Sequence, residues 1–240
     1  MLIAGLDAET IPSQILPEGC KPVFDPNEVA LGNTKDQFKI KIKIQDAKTK
    51  FDEKLNKKMA TDAALCQVCT FVGYFYDTTE QKITDKKIAQ YRSPEEDGIE
   101  EYSLVYDAWD FIKHAFNTRT PLVSFNGKNF DLFVLLYRAM AHSVPVDGDM
   151  YKLLTDKWKV TKHHYDLMQI LGGAFPKKGR NLDFFLRLFG IGEKTIDMDG
   201  SKVFEKWLNG DHDIIKEYCE DDVLSTCKLF ARIEPWVIVE

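Results

Sequence analysis

The chain has 240 residues, of which 44% are hydrophobic and 29% charged, a composition typical of a globular protein with one large domain or two small ones. It contains no run of 18 apolar residues, which argues against a transmembrane helix. The net charge of −6 does not favour non-specific binding to nucleic acid, although four carboxylates gathered at one metal site would account for much of it.

The N-terminus begins with a strand-like run that carries Asp7. It has neither a basic segment nor a small-residue cleavage site, so we expect no signal peptide and an intracellular, cytoplasmic protein. Five cysteines in no disulfide pattern fit a reducing compartment. The pair Cys66 and Cys69 forms a CxxC that suits half a zinc site or a redox pair. We favour a buried strand there, because residues three apart in a strand face opposite sides.

The first predicted strand covers residues 1–10. The strand period is two, so Asp7 and Glu9 project from the same face of its acidic end. Residues 11–34 contain four of the nine prolines and predict an irregular loop.

Residues 35–60 are rich in lysine. Apolar residues at helical spacing, among them Ile40, Ile44 and Phe51, favour a helix over a strand. Its basic face can lie along a phosphate backbone. The alternative, which we favour, is a solvated helix face balanced by nearby acidic residues.

The remaining elements interleave strands with helices, which indicates a mixed α/β sheet covered on both faces. We expect strands at 65–76, 82–91, 122–125 and 163–166, and helices at 93–116, 131–141, 181–189, 201–208 and 214–230. The 93–116 helix starts with Ser93 as N-cap and Pro94 in its first turn. A basic loop at 176–180 is equally compatible with phosphate contact and with a solvated turn.

The last predicted helix places Tyr218 and Asp222 one turn apart on a largely apolar face. A carboxylate in such a position is costly unless a positive charge meets it. Lys216, the cation within one turn, points elsewhere, so we expect a metal ion to supply that charge. Asp221 lies about 100° further round the helix and is expected to be solvated.

Two carboxylates on the first strand, one at a helix start and one on the last helix would form a four-carboxylate cluster. Its members are Asp7, Glu9, Asp131 and Asp222. Oxygen ligands of this kind suit Mg²⁺ or Mn²⁺.

Two such ions can stabilise the attacking and leaving oxygens of a phosphoryl displacement. In this arrangement Asp7 bridges both ions, Glu9 and Asp222 complete one site, and Asp131 completes the other. Tyr218 orients the attacking water. A phenol is a poor base at neutral pH, so an alkaline activity optimum is expected.

Three segments carry these residues: Asp7-x-Glu9, Asn126-x-x-x-Phe130-Asp131 and Tyr218-x-x-x-Asp222. They resemble, in order, the three exonuclease motifs of the DEDD superfamily. The tyrosine indicates the DEDDy branch, because the other branch has histidine where this chain has Glu217. The wider sequence resembles stand-alone 3′–5′ exonucleases related to the proofreading domain of family-B DNA polymerases.

This resemblance implies one exonuclease domain over residues 1–240 with a ribonuclease-H-like fold, a mixed sheet flanked by helices on both faces. The lysine-rich part of residues 11–64 would be an insertion. The resemblance also implies two Mg²⁺ or Mn²⁺ ions and release of nucleoside monophosphates from a 3′ end. Thr10 and Asn126 would lie near the terminal nucleotide, with Phe130 packed beneath the site. Asp166 is expected to be a helix cap or to support the ligands.

The expected partner is the 3′ end of single-stranded DNA, with replication or repair proteins as further candidates and no membrane. Two alternatives stay open. One is an exoribonuclease of the ribonuclease D type, which belongs to the same branch and uses the same residues. The other is a module that holds 3′ ends without cutting them, or a subunit that docks to a replication protein.

Overall fold

The computed structural model describes residues 1–17, 19–92, 100–150, 163–172, 180–196 and 198–238. Its strands are β1 (Leu2–Pro12), β2 (Cys66–Asp77), β3 (Lys82–Gln90), β4 (Leu122–Ser124) and β5 (His164–Asp166). Within these residues they form one five-stranded sheet in the order β3-β2-β1-β4-β5. β1 pairs antiparallel with β2 and parallel with β4, so the sheet is mixed.

The helices bounded in the described residues cover both faces of this sheet. They are α1 (Gln37–Ala60), α2 (Glu101–Asn117), α3 (Asp131–His142), α4 (Leu167–Gly172), α5 (Leu182–Leu188), α6 (Val203–Leu208) and α7 (His212–Val237). Residues of α2 and α3 form one core cluster with the sheet, and residues of α5 and α7 form another.

Burial along each strand follows its position in the sheet. β1 is central and is buried along almost its whole length, as expected for a strand covered on both faces. β3 lies at the sheet edge and exposes most of its residues, including Lys82 and Lys86. Charged side chains on an edge strand discourage pairing with another chain. The central strand is therefore the rigid part of the sheet, and it carries Asp7 and Glu9.

The structure confirms the predicted sheet with helices on both faces, and the helix predicted at 35–60. Cys66 and Cys69 are free and buried in different core clusters, as expected for residues three apart in β2. The predicted helix start at Ser93 and Pro94 and most of the basic loop at 176–180 lie outside the described residues. No helix in the described part of the chain is long and apolar enough to cross a membrane.

Gly5 allows α7 to pack closely on β1. A Cβ atom at this position would lie 2.3 Å from the Sγ atom of Cys227, whose side chain is fully buried on α7. The contact holds α7, and with it Tyr218 and Asp222, against the strand that carries Asp7.

We predict that Gly5→Ala lowers the free energy of unfolding by about 1–3 kcal/mol, because the added methyl group overpacks the contact. Adding Cys227→Ala should recover part of this loss, and chemical denaturation of the four proteins of the double-mutant cycle measures the coupling. Gly148→Ala is the control, since a Cβ atom there meets nothing within 4 Å. Additive effects of the two substitutions would contradict the close approach.

Candidate active site

The first two acidic side chains lie towards the C-terminal end of β1. Asp7 and Glu9 share one face of the strand, and ligand atoms of Asp7, Glu9 and Cys219 lie within 4.8 Å of one another. The Cys219 thiol, from α7, donates to Asp7 Oδ2 at 3.5 Å. The predicted pairing of Asp7 with Glu9 on one strand face is therefore present, and α7 lies directly over it.

Asp131 joins this pair from the first turn of α3. The backbone N–H of Ala8 donates to Asp131 Oδ1 at 3.3 Å, which places that carboxylate beside β1. Asp131 is 5% exposed. The helix start is thus fixed against the residue that separates Asp7 from Glu9.

A tight turn after β4 delivers Asp131 to this position. Asn126 adopts a φ of 74°, a left-handed conformation that asparagine tolerates better than most residues. A Cβ atom at Gly127 would lie 2.4 Å from Ser124 Oγ, so the turn also needs glycine. The side chain of Asn126 accepts from Asn129 Nδ2 at 3.3 Å.

Asp166 holds this turn from the end of β5. Its carboxylate accepts the backbone N–H of Asn126 at 3.1 Å and that of Lys128 at 2.9 Å. It also accepts the N–H of Gln169 at 3.1 Å, which confirms the predicted helix cap. Asp166 therefore supports the turn that presents Asp131.

The remaining predicted residues come from α7. Tyr218 and Asp222 lie one turn apart on the same face of this helix, and the Lys194 ammonium group lies against both side chains. Tyr218 is 5% exposed. The structure thus brings together all five residues that the sequence nominated for chemistry.

The sequence missed Lys194. Its Nζ atom lies 2.5 Å from Asp222 Oδ1 and 4.8 Å from the centre of the Tyr218 ring. Lys194 therefore places a positive charge beside Asp222, where the sequence had indicated a metal ion as its source. Lys194 comes from the segment between α5 and α6, and no periodicity in the sequence distinguishes it from the other lysines.

Asp221 is partly exposed, as expected, and it also accepts hydrogen bonds that the sequence did not predict. Its carboxylate accepts the backbone N–H of Thr195 at 2.9 Å and the Thr195 hydroxyl at 2.8 Å. Thr195 follows Lys194 in the chain. Asp221 therefore holds the segment that carries Lys194 against α7.

Burial and mutual repulsion shape the protonation of the cluster. Burial, followed by the charges of neighbouring carboxylates, raises the pKa of Asp7 and of Glu9 well above the usual values. Burial raises the pKa of Asp131 to about 7, against the effect of backbone hydrogen bonds. Burial raises the pKa of Asp222 too, although Lys194 partly offsets it. The group thus resists carrying its full negative charge without a cation.

Tyr218 is unsuited to act as a base. Burial and the nearby charges of Glu9 and Asp222 raise the pKa of its phenol well above 10. Its hydroxyl is therefore a hydrogen-bond donor over the whole working range of pH.

The cluster fits divalent metal ions. Four carboxylates offer hard oxygen ligands, which Mg²⁺ and Mn²⁺ prefer, and their repulsion is what a bound cation would relieve. Cys219 also lies within reach, but burial raises the pKa of its thiol, which disfavours the thiolate that a metal requires. We therefore assign the oxygen atoms, and not the sulfur, as the candidate ligands.

A cleft of about 670 Å³ opens beside this cluster, lined in part by Lys194, Thr195 and Tyr218. Asn126 is half-buried, whereas Thr10 is 7% exposed and donates its hydroxyl to the Ala60 carbonyl at 2.6 Å. The side chain of Thr10 is thus engaged with α1. The sequence predicted that the backbone of Thr10, and not its side chain, lies near the terminal nucleotide. This role of Thr10 and the similar role of Asn126 stay predictions.

Comparison with known proteins bears on this arrangement. Residues 43–236 match the model of a family described as "Predicted 3'-5' exonuclease related to the exonuclease domain of PolB". The chain belongs to this family. The match covers the segments of Asp131, Tyr218 and Asp222, whereas Asp7 and Glu9 lie before it.

A solved structure is similar to the PolB-related chain. It is the family B DNA polymerase from the hyperthermophilic archaeon Pyrobaculum calidifontis, with a TM-score of 0.55 and 22% sequence identity. The likeness covers 75% of this chain and 23% of the polymerase chain. It establishes the ribonuclease-H-like fold that the sequence predicted. No curated protein sequence matches the chain.

The metal-free protein should lose stability as pH rises from about 4 to about 7. The pKa of Asp131 rises on folding from its usual 3.8 to about 7. The folded state therefore binds more protons than the unfolded state in this interval, and the free energy of unfolding falls with pH. Denaturation in EDTA at several pH values measures the trend.

Asp131→Asn should flatten that dependence, since amides do not titrate. In the wild-type protein, saturating Mn²⁺ should make stability rise with pH, because metal binding to carboxylates releases protons and so strengthens as pH rises. An unchanged slope in Asp131→Asn would show that Asp131 does not titrate in this range.

Lys194→Gln should lower the free energy of unfolding in EDTA by about 1–3 kcal/mol, because the half-buried Asp222 loses a charged hydrogen-bond donor. Saturating Mn²⁺ should reduce the difference in free energy of unfolding between Lys194→Gln and the wild-type protein, since the ion then neutralises Asp222. The control is Lys206→Gln, which removes an ion pair with Asp211 away from the carboxylate cluster and whose effect should not depend on metal. A deficit of Lys194→Gln that persists in Mn²⁺ would contradict this role.

Proposed function

We propose that this protein is a metal-dependent 3′–5′ exonuclease that removes nucleoside 5′-monophosphates from the 3′ end of single-stranded DNA. One observation carries the proposal: four carboxylates from β1, α3 and α7, all with raised pKa values, interact electrostatically beside the buried Tyr218. Membership in the PolB-related exonuclease family supports it.

The carboxylates are the proposed ligands of two divalent ions. When bound, these ions supply Lewis-acid stabilisation of the attacking and leaving oxygens of the phosphodiester. Asp7 interacts electrostatically with Asp131 and with Asp222, so it would be the central oxygen ligand of such a site. Glu9, Asp131 and Asp222 would supply the other carboxylate oxygens.

Tyr218 positions the attacking water in this proposal. Its phenol stays protonated because of the raised pKa, so it donates or accepts a hydrogen bond and does not remove the proton. Lys194 lies 3.5 Å from the Tyr218 hydroxyl. Its ammonium group can therefore interact with a phosphate oxygen at the same place.

A role that only holds 3′ ends is less consistent with this site. Phosphate binding needs positive charge or N–H donors, whereas the cluster gathers negative charge at a cost in stability. A cluster of this kind is useful when metal ions and a phosphodiester meet there.

A gel time course tests the function. A 5′-labelled single-stranded DNA oligonucleotide is incubated with Mg²⁺, Mn²⁺ or EDTA, beside a matched RNA strand. We expect a metal-dependent ladder that shortens from the 3′ end, faster on DNA. Faster cleavage of RNA would show that RNA is the preferred substrate. Intact strands under all conditions would reject the exonuclease function.

Two substitutions should separate metal binding from water positioning. Asp7→Asn should lower kcat by at least about 1000-fold, because the central oxygen ligand is lost. Tyr218→Phe should lower it by about 10–100-fold, since misplacing the water leaves metal activation intact. Single-turnover cleavage measures both.

The control is Asp213→Asn on the same helix, where the carboxylate is exposed and pairs with Lys216. It should cleave at the wild-type rate. Equal and complete loss in Asp7→Asn and Tyr218→Phe would refute the division of roles.

A further inference from the structure

Helix α1 concentrates positive charge in an acidic protein. Between Gln37 and Ala60 it has eight lysines and three acidic residues, whereas the chain as a whole carries a net charge of −6. Such a separation of charge indicates a surface for an anionic partner.

The lysines are not spread evenly round the helix. At 3.6 residues per turn, five of them fall within a sector of about 60° and span about 27 Å of helix length. This lysine stripe consists of Lys39, Lys43, Lys50, Lys54 and Lys57. Asp46 and Glu53 lie along one border of the stripe, and Asp52 lies elsewhere on the helix.

The stripe is exposed and unneutralised. All five lysines are exposed, and among the described residues none forms an ion pair with an acidic side chain. Lys43 alone among the five has a recorded hydrogen-bonding role, donating to the Leu31 carbonyl and the Thr34 hydroxyl. Like charges three and four residues apart destabilise a helix, so the repulsion within the stripe is a cost that an anionic partner would relieve.

The other side of α1 is the covered one. Leu55 and Met59 are buried, and the Phe51 ring packs on Phe24 of the preceding loop with centroids 5.6 Å apart. The helix is therefore held by its apolar side, which leaves the lysine stripe open to solvent.

One end of the helix is fixed beside the candidate active site. Thr10, the residue after Glu9, donates its hydroxyl to the carbonyl of Ala60, the last residue of α1. The lysine of the stripe nearest to this anchor is Lys57, three residues before Ala60.

We propose that the lysine stripe binds the phosphate backbone of the single strand whose 3′ end occupies the carboxylate cluster. The inference rests on the proposed function for the position of that 3′ end. A strand leaving the cluster is a linear polyanion, and the stripe is a linear row of cations that starts beside the cluster. An acidic protein surface would not require the row to end at the active site.

Two matched double variants test the proposal. Lys50→Gln/Lys54→Gln removes two charges from the stripe, and Lys41→Gln/Lys48→Gln removes two exposed charges from nearly the opposite side of the same helix. Binding of a labelled 20-nucleotide DNA strand is measured by fluorescence anisotropy in EDTA over a series of KCl concentrations. EDTA prevents cleavage during the titration.

The stripe variant should reduce the slope of log Kobs against log[KCl] by about 1.4, since each phosphate contact on a single strand contributes about 0.7. It should also weaken binding at low salt by about tenfold or more. The control variant should keep the wild-type slope. Equal losses of slope and affinity in both variants would show an effect of total charge. Unchanged DNA binding in both variants would indicate that the stripe binds an acidic protein instead. Either result overturns the proposal.

Cleavage separates this proposal from the proposed function. With Mg²⁺, the stripe variant should lose kcat/KM on the 20-nucleotide strand but keep the wild-type rate on thymidine 5′-(p-nitrophenyl phosphate), whose single phosphodiester does not reach α1. If the wild-type protein cleaves the 20-nucleotide strand and the stripe variant has the same kcat/KM, the proposal for the stripe is rejected and the proposed exonuclease function stands. A wild-type protein that cleaves neither substrate rejects the exonuclease, while the salt slopes still report on the stripe.

Discussion

The repulsion among four buried carboxylates is the constraint on which the rest of this structure depends. Burial raises the pKa of Asp7, Glu9, Asp131 and Asp222, and the negative charges of neighbouring carboxylates add to this effect. Left to relax, such a group would separate or take up protons. The surrounding packing must therefore hold it in place, and Lys194 supplies the one cation within ion-pair distance of the cluster among the described residues.

The four carboxylates are held by three elements of the fold. Asp7 and Glu9 belong to the central strand, which is buried on both faces. The Ala8 N–H holds Asp131, and Asp166 supports the turn before it. Asp222 lies on α7, which approaches β1 closely because residue 5 is glycine. Preorganisation of this kind places the ligands before any ion binds, so that binding need not order the chain.

Charge is separated in space as well as along the sequence. The site itself is acidic and suited to cations, whereas α1 is basic and suited to phosphates. These two surfaces meet where Thr10 contacts the last residue of α1. In the proposed function, the cluster acts on the terminal phosphodiester while the helix holds the strand behind it. The division also explains how an acidic protein can bind a polyanion.

The sequence by itself determined the elements and the five nominated residues, because strand period two and helix spacing place Asp7 with Glu9 and Tyr218 with Asp222 on shared faces. The interleaving of strands and helices also determined a mixed α/β sheet covered on both faces, whereas the ribonuclease-H-like fold followed from the resemblance of the motifs to a known family. Tertiary structure alone decided the contacts of Lys194 and Asp221. Lys194 reaches Asp222 from a segment 28 residues earlier in the chain, in a loop without periodicity, and Asp221 is engaged by the Thr195 of that same loop. Contacts between a loop and a distant helix depend on how the chain packs, which no local spacing encodes.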